Sequence, residues 1–231
     1  MVYLTGDTRS HKIIVWLHQN GYGRMWIDIK PTPYHGEPWG LDNGAYRDFL
    51  SGHELCEEKY LRRLERAATV KSVPYMAVVP DIVGKGKRSL EFSMKWVEKV
   101  KSFCPSSWPW YLVVQDEMTL EDVQGIIRNF QGIFLGGTNF FKSTAWYWSE
   151  LAHRNGVRFH YGRAGTTRKI FHALSVNADS ADSAFPLWNQ SRLLEVNIAL
   201  QGQKQIEFFG PEVMARPPSS FTTAGVGLSD S

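Results

Sequence analysis

The 231 residues suffice for one sizeable domain, and 43% hydrophobic with 21% charged side chains excludes a chain that stays disordered. A net charge of +3 permits a polyanionic partner without demanding one. The 9 Trp, 9 Tyr and 13 Phe are enough for a filled core and for a site with stacking faces.

In chain order, short β-branched or aromatic runs alternate with longer stretches of helical period, the pattern of parallel βα units. Strands are predicted at Val2–Thr5, Met25–Ile29, Leu41–Ala45 and Tyr75–Pro80. Between the last two, His53–Thr69 carries Leu55, Tyr60, Leu61, Leu64 and Ala68 at helical spacing. Leu90–Phe103 places Leu90, Met94, Val97 and Val100 on one face. Strand Trp110–Gln115 follows, then Thr119 as an N-cap with Glu121 and Asp122 in the first turn. Strand Gly132–Leu135 leads to helix Trp146–His153, stopped by Asn155-Gly156. Strand Val157–Tyr161, helix Thr167–Val176, strand Ala178–Ala184 and helix Ser191–Leu200 complete the series.

Eight strands alternating with helices predict an α/β chain, a single compact (β/α)8 TIM-type barrel over residues 1–215. The alternative is an open doubly wound sheet, but neither GxGxxG nor GxxxxGK[ST] is present. From Arg216, the small, polar, Gly/Pro-rich residues through Ser231 read as a flexible tail, 216–231. Cys56 and Cys104 lack CxxC spacing, so no disulfide framework or Cys-rich zinc site is expected. No apolar run approaches the roughly 20 residues of a membrane span. Met1 to Asp7 has neither the basic nor the apolar region of a signal peptide. A cytoplasmic protein away from membranes is the expectation.

A barrel keeps its chemistry at the C-terminal ends of its strands. Those ends hold Asp42-Asn43-Gly44-Ala45-Tyr46, Pro80-Asp81, Gln115-Asp116-Glu117 and Gly136-Gly137-Thr138. The last two hold His160-Tyr161-Gly162-Arg163 and the run Asp179 to Ser183. One Asp at a strand end commonly caps the next helix. Three of them, Asp42, Asp81 and Asp182, are costly to hold together and so mark a site. Gly84, Gly136, Gly137 and Gly162 suit turns, or bare backbone against a flat ligand. His160 reads as a core or supporting histidine, and Trp146, Tyr147 and Trp148 as outer packing.

These motifs, from about Gly40 to Trp188, resemble the tRNA-guanine transglycosylase superfamily, most closely its small phage and bacterial members that place 7-deazaguanines in DNA. Asp42 to Tyr46 is similar to the family's Asp-Ser-Gly-Gly-Phe, which implies that Asp42 assists proton movement and Tyr46 stacks on the base. Asp81 stands where the family reads the guanine Watson–Crick edge. Val114-Gln115 resembles its Val-Gln, whose amide meets the base O6, and Gly136-Gly137 its paired glycines. Tyr161-Gly162 replaces a Met-Gly, which implies Tyr161 as the second stacking face. Asp179-x-x-Asp182 matches a spacing whose second Asp is the nucleophile, with Asp179 as the other candidate. The family's zinc motif and its Leu-Pro-Thr-Arg are missing, which favours the DNA branch.

The resemblance implies exchange of guanine in DNA for a free 7-deazaguanine base through a covalent Asp182–C1′ intermediate, without metal, ATP or redox cofactor. Basic residues on the same rim are read as contacts to the nucleic-acid backbone. They are Lys85, Lys87 and Arg88 after strand four, Lys142 after strand six, and Arg163, Arg168 and Lys169 after strand seven. The alternatives are zinc-free exchange in tRNA and a catalytically silent nucleic-acid-binding barrel. Oligomeric state is left open.

Overall fold

Eight parallel strands close on one another in chain order, because β1 (Val2–Gly6) pairs with β2 (Gly23–Trp26) on one side and with β8 (Ser180–Ser183) on the other. Between them run β3 (Trp39–Leu41), β4 (Met76–Val78), β5 (Trp110–Val114), β6 (Gly132–Leu135) and β7 (Arg158–Tyr161). The computed structural model describes residues 1–27 and 30–209, with side chains through 202. The predicted tail 216–231 and the end of predicted strand Met25–Ile29 lie outside the described residues.

The outer layer comprises α1 (His11–Gln19), α2 (Ala45–Leu50), α3 (Glu57–Ala68), α4 (Gly86–Phe103), α5 (Leu120–Gln124), α6 (Ala145–Arg154), α7 (Thr167–Ser175) and α8 (Gln190–Phe209). Successive residues of a strand face opposite ways, so each strand serves two cores. Leu4, Met25, Met76, Val78, Tyr111 and Val113 fill the barrel interior, and the larger cluster lies between strands and helices. All five residues of β5 are buried, as expected of a strand covered on both faces. Gly132 makes room for Tyr111, since a Cβ there would stand 2.2 Å from the ring.

Several boundaries differ from the predicted ones. β3 stops at Leu41 because the chain turns at Gly44, whose φ of 79° favours glycine, and Ala45 opens α2. Ser51 to Cys56 separate α2 from α3, so the predicted helix over His53–Thr69 begins only at Glu57. α4 starts at Gly86, which puts Lys87 and Arg88 in its first turn. The capping box at Thr119 forms: its hydroxyl accepts from Asp122 N–H at 3.3 Å, and Asp122 accepts from Thr119 N–H at 2.9 Å.

Among the described residues, the β2–β3 connection holds no helix. Pro31, Pro33 and Pro38 interrupt it. Buried Arg24 ties it down instead, donating to both Glu37 oxygens at 2.6 and 2.8 Å and to the Thr32 carbonyl at 3.1 Å.

Candidate active site

A cavity of about 380 Å³ opens at the C-terminal ends of the strands. Val78, Val113 and Phe134, the last inward-facing residues of β4, β5 and β6, line its base. Around them stand Asp42, Tyr46, Asp81, Gln115, Gly136, Gly137, Arg163 and Asp182, so the strand ends bring together most of the predicted catalytic and base-binding residues, and Arg163 alone of the predicted backbone contacts.

Asp182 is the third residue of β8, and strand alternation turns its carboxylate inward beside His160 of β7. His160 is 0% exposed, with Nδ1 2.8 Å from Ser180 Oγ and Nε2 2.9 Å from Asp182 Oδ1. Arg163 N–H donates to the same Oδ1 at 3.0 Å. The backbone carbonyl of Asp182 accepts from Ala164 N–H at 2.7 Å, which pins the β7–α7 turn to β8. Asp179 lies before the start of β8, accepting from Phe159 N–H at 2.7 Å and contacting His153 at 2.9 Å. It does not line the cavity.

Asp42 follows β3, and its Oδ1 accepts from Gly44 N–H at 2.7 Å. Burial raises its pKa to about 6; that bond opposes the shift, while nearby Asp182 reinforces it. Asn43 is the brace of this wall. Its amide donates to Val79 O at 2.9 Å and to Asp81 Oδ1 at 2.7 Å, and its own carbonyl oxygen accepts from Ala45 N–H at 2.8 Å.

Asp81, 7% exposed, is also pushed up to about 6 by burial, against the Asn43 hydrogen bond and with help from the charge of Asp42. Gln115 holds its other oxygen at 3.3 Å. The same amide nitrogen donates to Ile82 O at 3.0 Å and approaches Ser89 Oγ at 2.8 Å, while Oε1 accepts from Gly84 N–H at 2.5 Å. An NH₂ group has two donors, and here both are spent on protein. Gln115 therefore lines the cavity as a positioner of Asp81 and the 82–84 turn, and in this arrangement it has no donor left for a base oxygen.

The glycines divide in the same way. Gly136 N–H donates to Val114 O at 2.8 Å and Gly162 N–H to Leu135 O at 3.1 Å. A Cβ on Gly162 would stand 2.5 Å from the Phe134 ring, so packing requires that glycine. Gly137 has φ 73°, lines the cavity, and its N–H donates to no acceptor among the described residues. Asp116 secures this turn, accepting from Thr138 N–H at 2.7 Å and from its hydroxyl at 2.5 Å.

The aromatic faces depart from expectation. Tyr46, 45% exposed at the mouth, lies under the Arg163 guanidinium, 4.4 Å from ring centroid to Cζ. Arg163 also donates to the Gly137 carbonyl. Tyr161 is 2% exposed and hydrogen-bonds His172 at 3.2 Å on the helix side of β7, because His160 takes the inward position. It does not line the cavity, and the flat group facing Tyr46 is Arg163.

The basic residues also separate. Lys142 is 2% exposed: the 3-10 turn Phe141–Thr144 folds it inward, where its ammonium donates to the Gly162 carbonyl. Burial, with the charge of Arg163, lowers its pKa to about 7, so it is not a rim contact. Lys87 pairs with Asp122 at 2.9 Å. Lys85 and Arg88 line a neighbouring groove, while Arg168 and Lys169 line another cavity beside Tyr161. Trp148 packs in the core as expected, but Trp146 and Tyr147 are exposed.

Asn43, Asp116, Phe134 and His160 are the supporting residues that motif matching did not assign to the site. Asn43 and Asp116 stand in the strand-end runs, and His160 is a polar residue on the inward parity of an apolar strand, whereas Phe134 carried no signal of its own. Among the described residues, no group of three or more His, Cys, Asp or Glu is placed to hold a metal ion. No family model matches this sequence, and no curated protein shows significant similarity to it.

Proposed function

We propose that the chain is a guanine transglycosylase of TIM-type architecture that replaces guanine in DNA with a 7-deazaguanine base. The observation that carries this reading is the placement of Asp182 and Asp81 in one cavity, each held by hydrogen bonds that leave acceptor capacity free. Each Asp81 oxygen has one protein donor and a second lone-pair direction, which suits the adjacent N1–H and 2-amino donors of guanine. Gly137 N–H is the donor available to O6. Tyr46 offers a stacking face, worth about 1–3 kcal/mol per base. A base held in this way must leave the duplex stack, as in other enzymes that act on bases.

Asp182 Oδ2 attacks C1′ while the C1′–N9 bond breaks, and the electron pair leaves with guanine. The Asp42 carboxyl, with its raised pKa, supplies the proton that neutralises the departing base. The incoming 7-deazaguanine returns its N9 proton to Asp42, and its N9 displaces Asp182 from C1′. Two inversions give retention, and protons balance.

Labelled guanine or 7-deazaguanine is offered in parallel with duplex DNA, single-stranded DNA and tRNA. Label is expected in DNA. Label confined to tRNA overturns the DNA assignment, and label in none of them, with guanine still bound, leaves a binding barrel without catalysis.

A further inference from the structure

A second cavity, of about 650 Å³, opens between the β6–α6 and β7–α7 connections. Tyr161 and Thr166 bound it, and between them runs the turn that carries Arg163 into the first cavity. Asn139 and Ser143 contribute neutral polar groups, and Arg168, Lys169 and His172 contribute actual or potential cations. No carboxylate lines it.

No carboxylate of the described structure neutralises these cations. Arg168 and Lys169 occupy the first turn of α7, which holds no acid, although cations at a helix N-terminus oppose its dipole. Neither is in an ion pair among the described residues. Lys142 lies beneath, 5.0 Å from the Tyr161 ring. The groups also discourage one another: burial and Arg163 lower Lys169, while burial, Arg168 and Lys142 lower His172. The groove lined by Lys85, Arg88 and Lys95 differs, since Glu54 and Glu91 compensate its charge.

Positive groups held against one another and against a helix dipole, around open space lined with donors, are satisfied by an oxyanion. We infer that this cavity binds a phosphodiester of the nucleic-acid strand, the one flanking the nucleotide whose base enters the first cavity, with Arg168 and Lys169 as direct contacts. The inference rests on the nucleic-acid reading above and adds where the strand runs: across the turn shared by the two cavities. A free phosphate presents the same tetrahedral oxyanion, so the test separates the two sources.

The full chain is titrated with an abasic pentanucleotide, with inorganic phosphate and with free guanine. Wild type is compared with the Arg168→Ala/Lys169→Ala double variant and with Lys87→Ala. Abasic-strand affinity is expected to fall at least tenfold in the double variant, with a shallower salt slope, by about one per residue removed. Lys87→Ala and all guanine affinities should stay at wild-type values. An unchanged strand affinity in the double variant overturns the inference. So does inorganic phosphate binding that needs Arg168 and Lys169 yet is not displaced by the abasic strand. Strand binding that depends on these two residues, in a protein that does not bind guanine, sinks the base-exchange reading and sustains this one.

Discussion

His160 Nε2 and the backbone N–H of Arg163 both reach Asp182 Oδ1, at 2.9 and 3.0 Å, and neither bonds to Oδ2. One oxygen is therefore anchored, and the other, the attacking atom of the proposed reaction, accepts from no side-chain or backbone donor among the described residues. Asp182→Asn keeps the shape and removes the nucleophile, so base exchange and any denaturant-resistant strand adduct should disappear while guanine affinity stays within a factor of about three. Gel analysis under denaturing conditions, with a slow incoming base, reads the adduct. An adduct that survives in Asp182→Asn but vanishes in Asp179→Ala transfers the role to Asp179.

Asp81→Asn should separate binding from bond making. The substitution turns one acceptor into a donor facing guanine's own donors, a buried mismatch of about 1–3 kcal/mol. Guanine affinity is expected to fall roughly tenfold or more, with looser selection against adenine, while adduct formation at saturating strand persists. Equal affinity for guanine in both proteins would remove Asp81 from base recognition.

Tyr46→Ala and Tyr161→Leu, each of which removes an aromatic ring, make a pair with opposite expectations. The first removes a stacking face and should weaken guanine binding by about 1–3 kcal/mol. The second touches a side chain on the helix side of β7 and should leave it unchanged. Calorimetry on both variants checks this, and a larger loss in Tyr161→Leu would put the tyrosine back against the base.

That contrast shows where the sequence was legible. Short β-branched and aromatic runs located all eight strands to within a few residues, since strands covered on both faces read as continuous apolar runs. The strand-end acids were equally visible, because charges next to apolar runs stand out. Tyr161 was misplaced by matching a motif without counting strand parity: with His160 inward, its neighbour must face the helices. Lys142 had no local signal at all, because its burial comes from a 3-10 turn packed under a distant glycine carbonyl. The Gln115 amide is likewise committed by residues 26 to 33 positions away, which no single-sequence pattern encodes.

Acid titration should expose the buried carboxyl. Asp81 titrates near 4 in an unfolded chain and near 6 in the fold. Between those values the native state holds a proton that the unfolded state has released, so this contribution to stability falls as pH rises through the window. The unfolding free energy of wild type minus that of Asp81→Asn should drop by up to about 1 kcal/mol per pH unit from pH 4 to 6. Guanine affinity should rise over the same range, because the ionised form accepts its donors. Urea unfolding at half-unit pH steps checks the first, and a flat difference contradicts the burial effect.

Glu37→Gln should be costly, because it leaves the buried Arg24 guanidinium with only the more distant Asp7 carboxylate, at 3.8 Å, as counter-charge. A loss of about 3–5 kcal/mol is expected in urea. A loss below about 1 kcal/mol would mean that the Thr32 carbonyl and water suffice.

Among the described residues no helix joins β2 to β3, and uneven rigidity of the barrel is the expected consequence. β2, β3 and β5 are all buried throughout, but the first two are only four and three residues long and are joined by a strap held by an ion pair, whereas β5 runs for five residues. Amide hydrogen exchange should therefore find β2 and β3 opening at low free energy and β5 only with the whole molecule. Asp42 and Tyr46 hang from the loose side, while Gln115 follows the firm one. On the base-exchange reading, the cavity would work like a jaw, with a firm plate that sets the reading of the base and a yielding plate that lets it in.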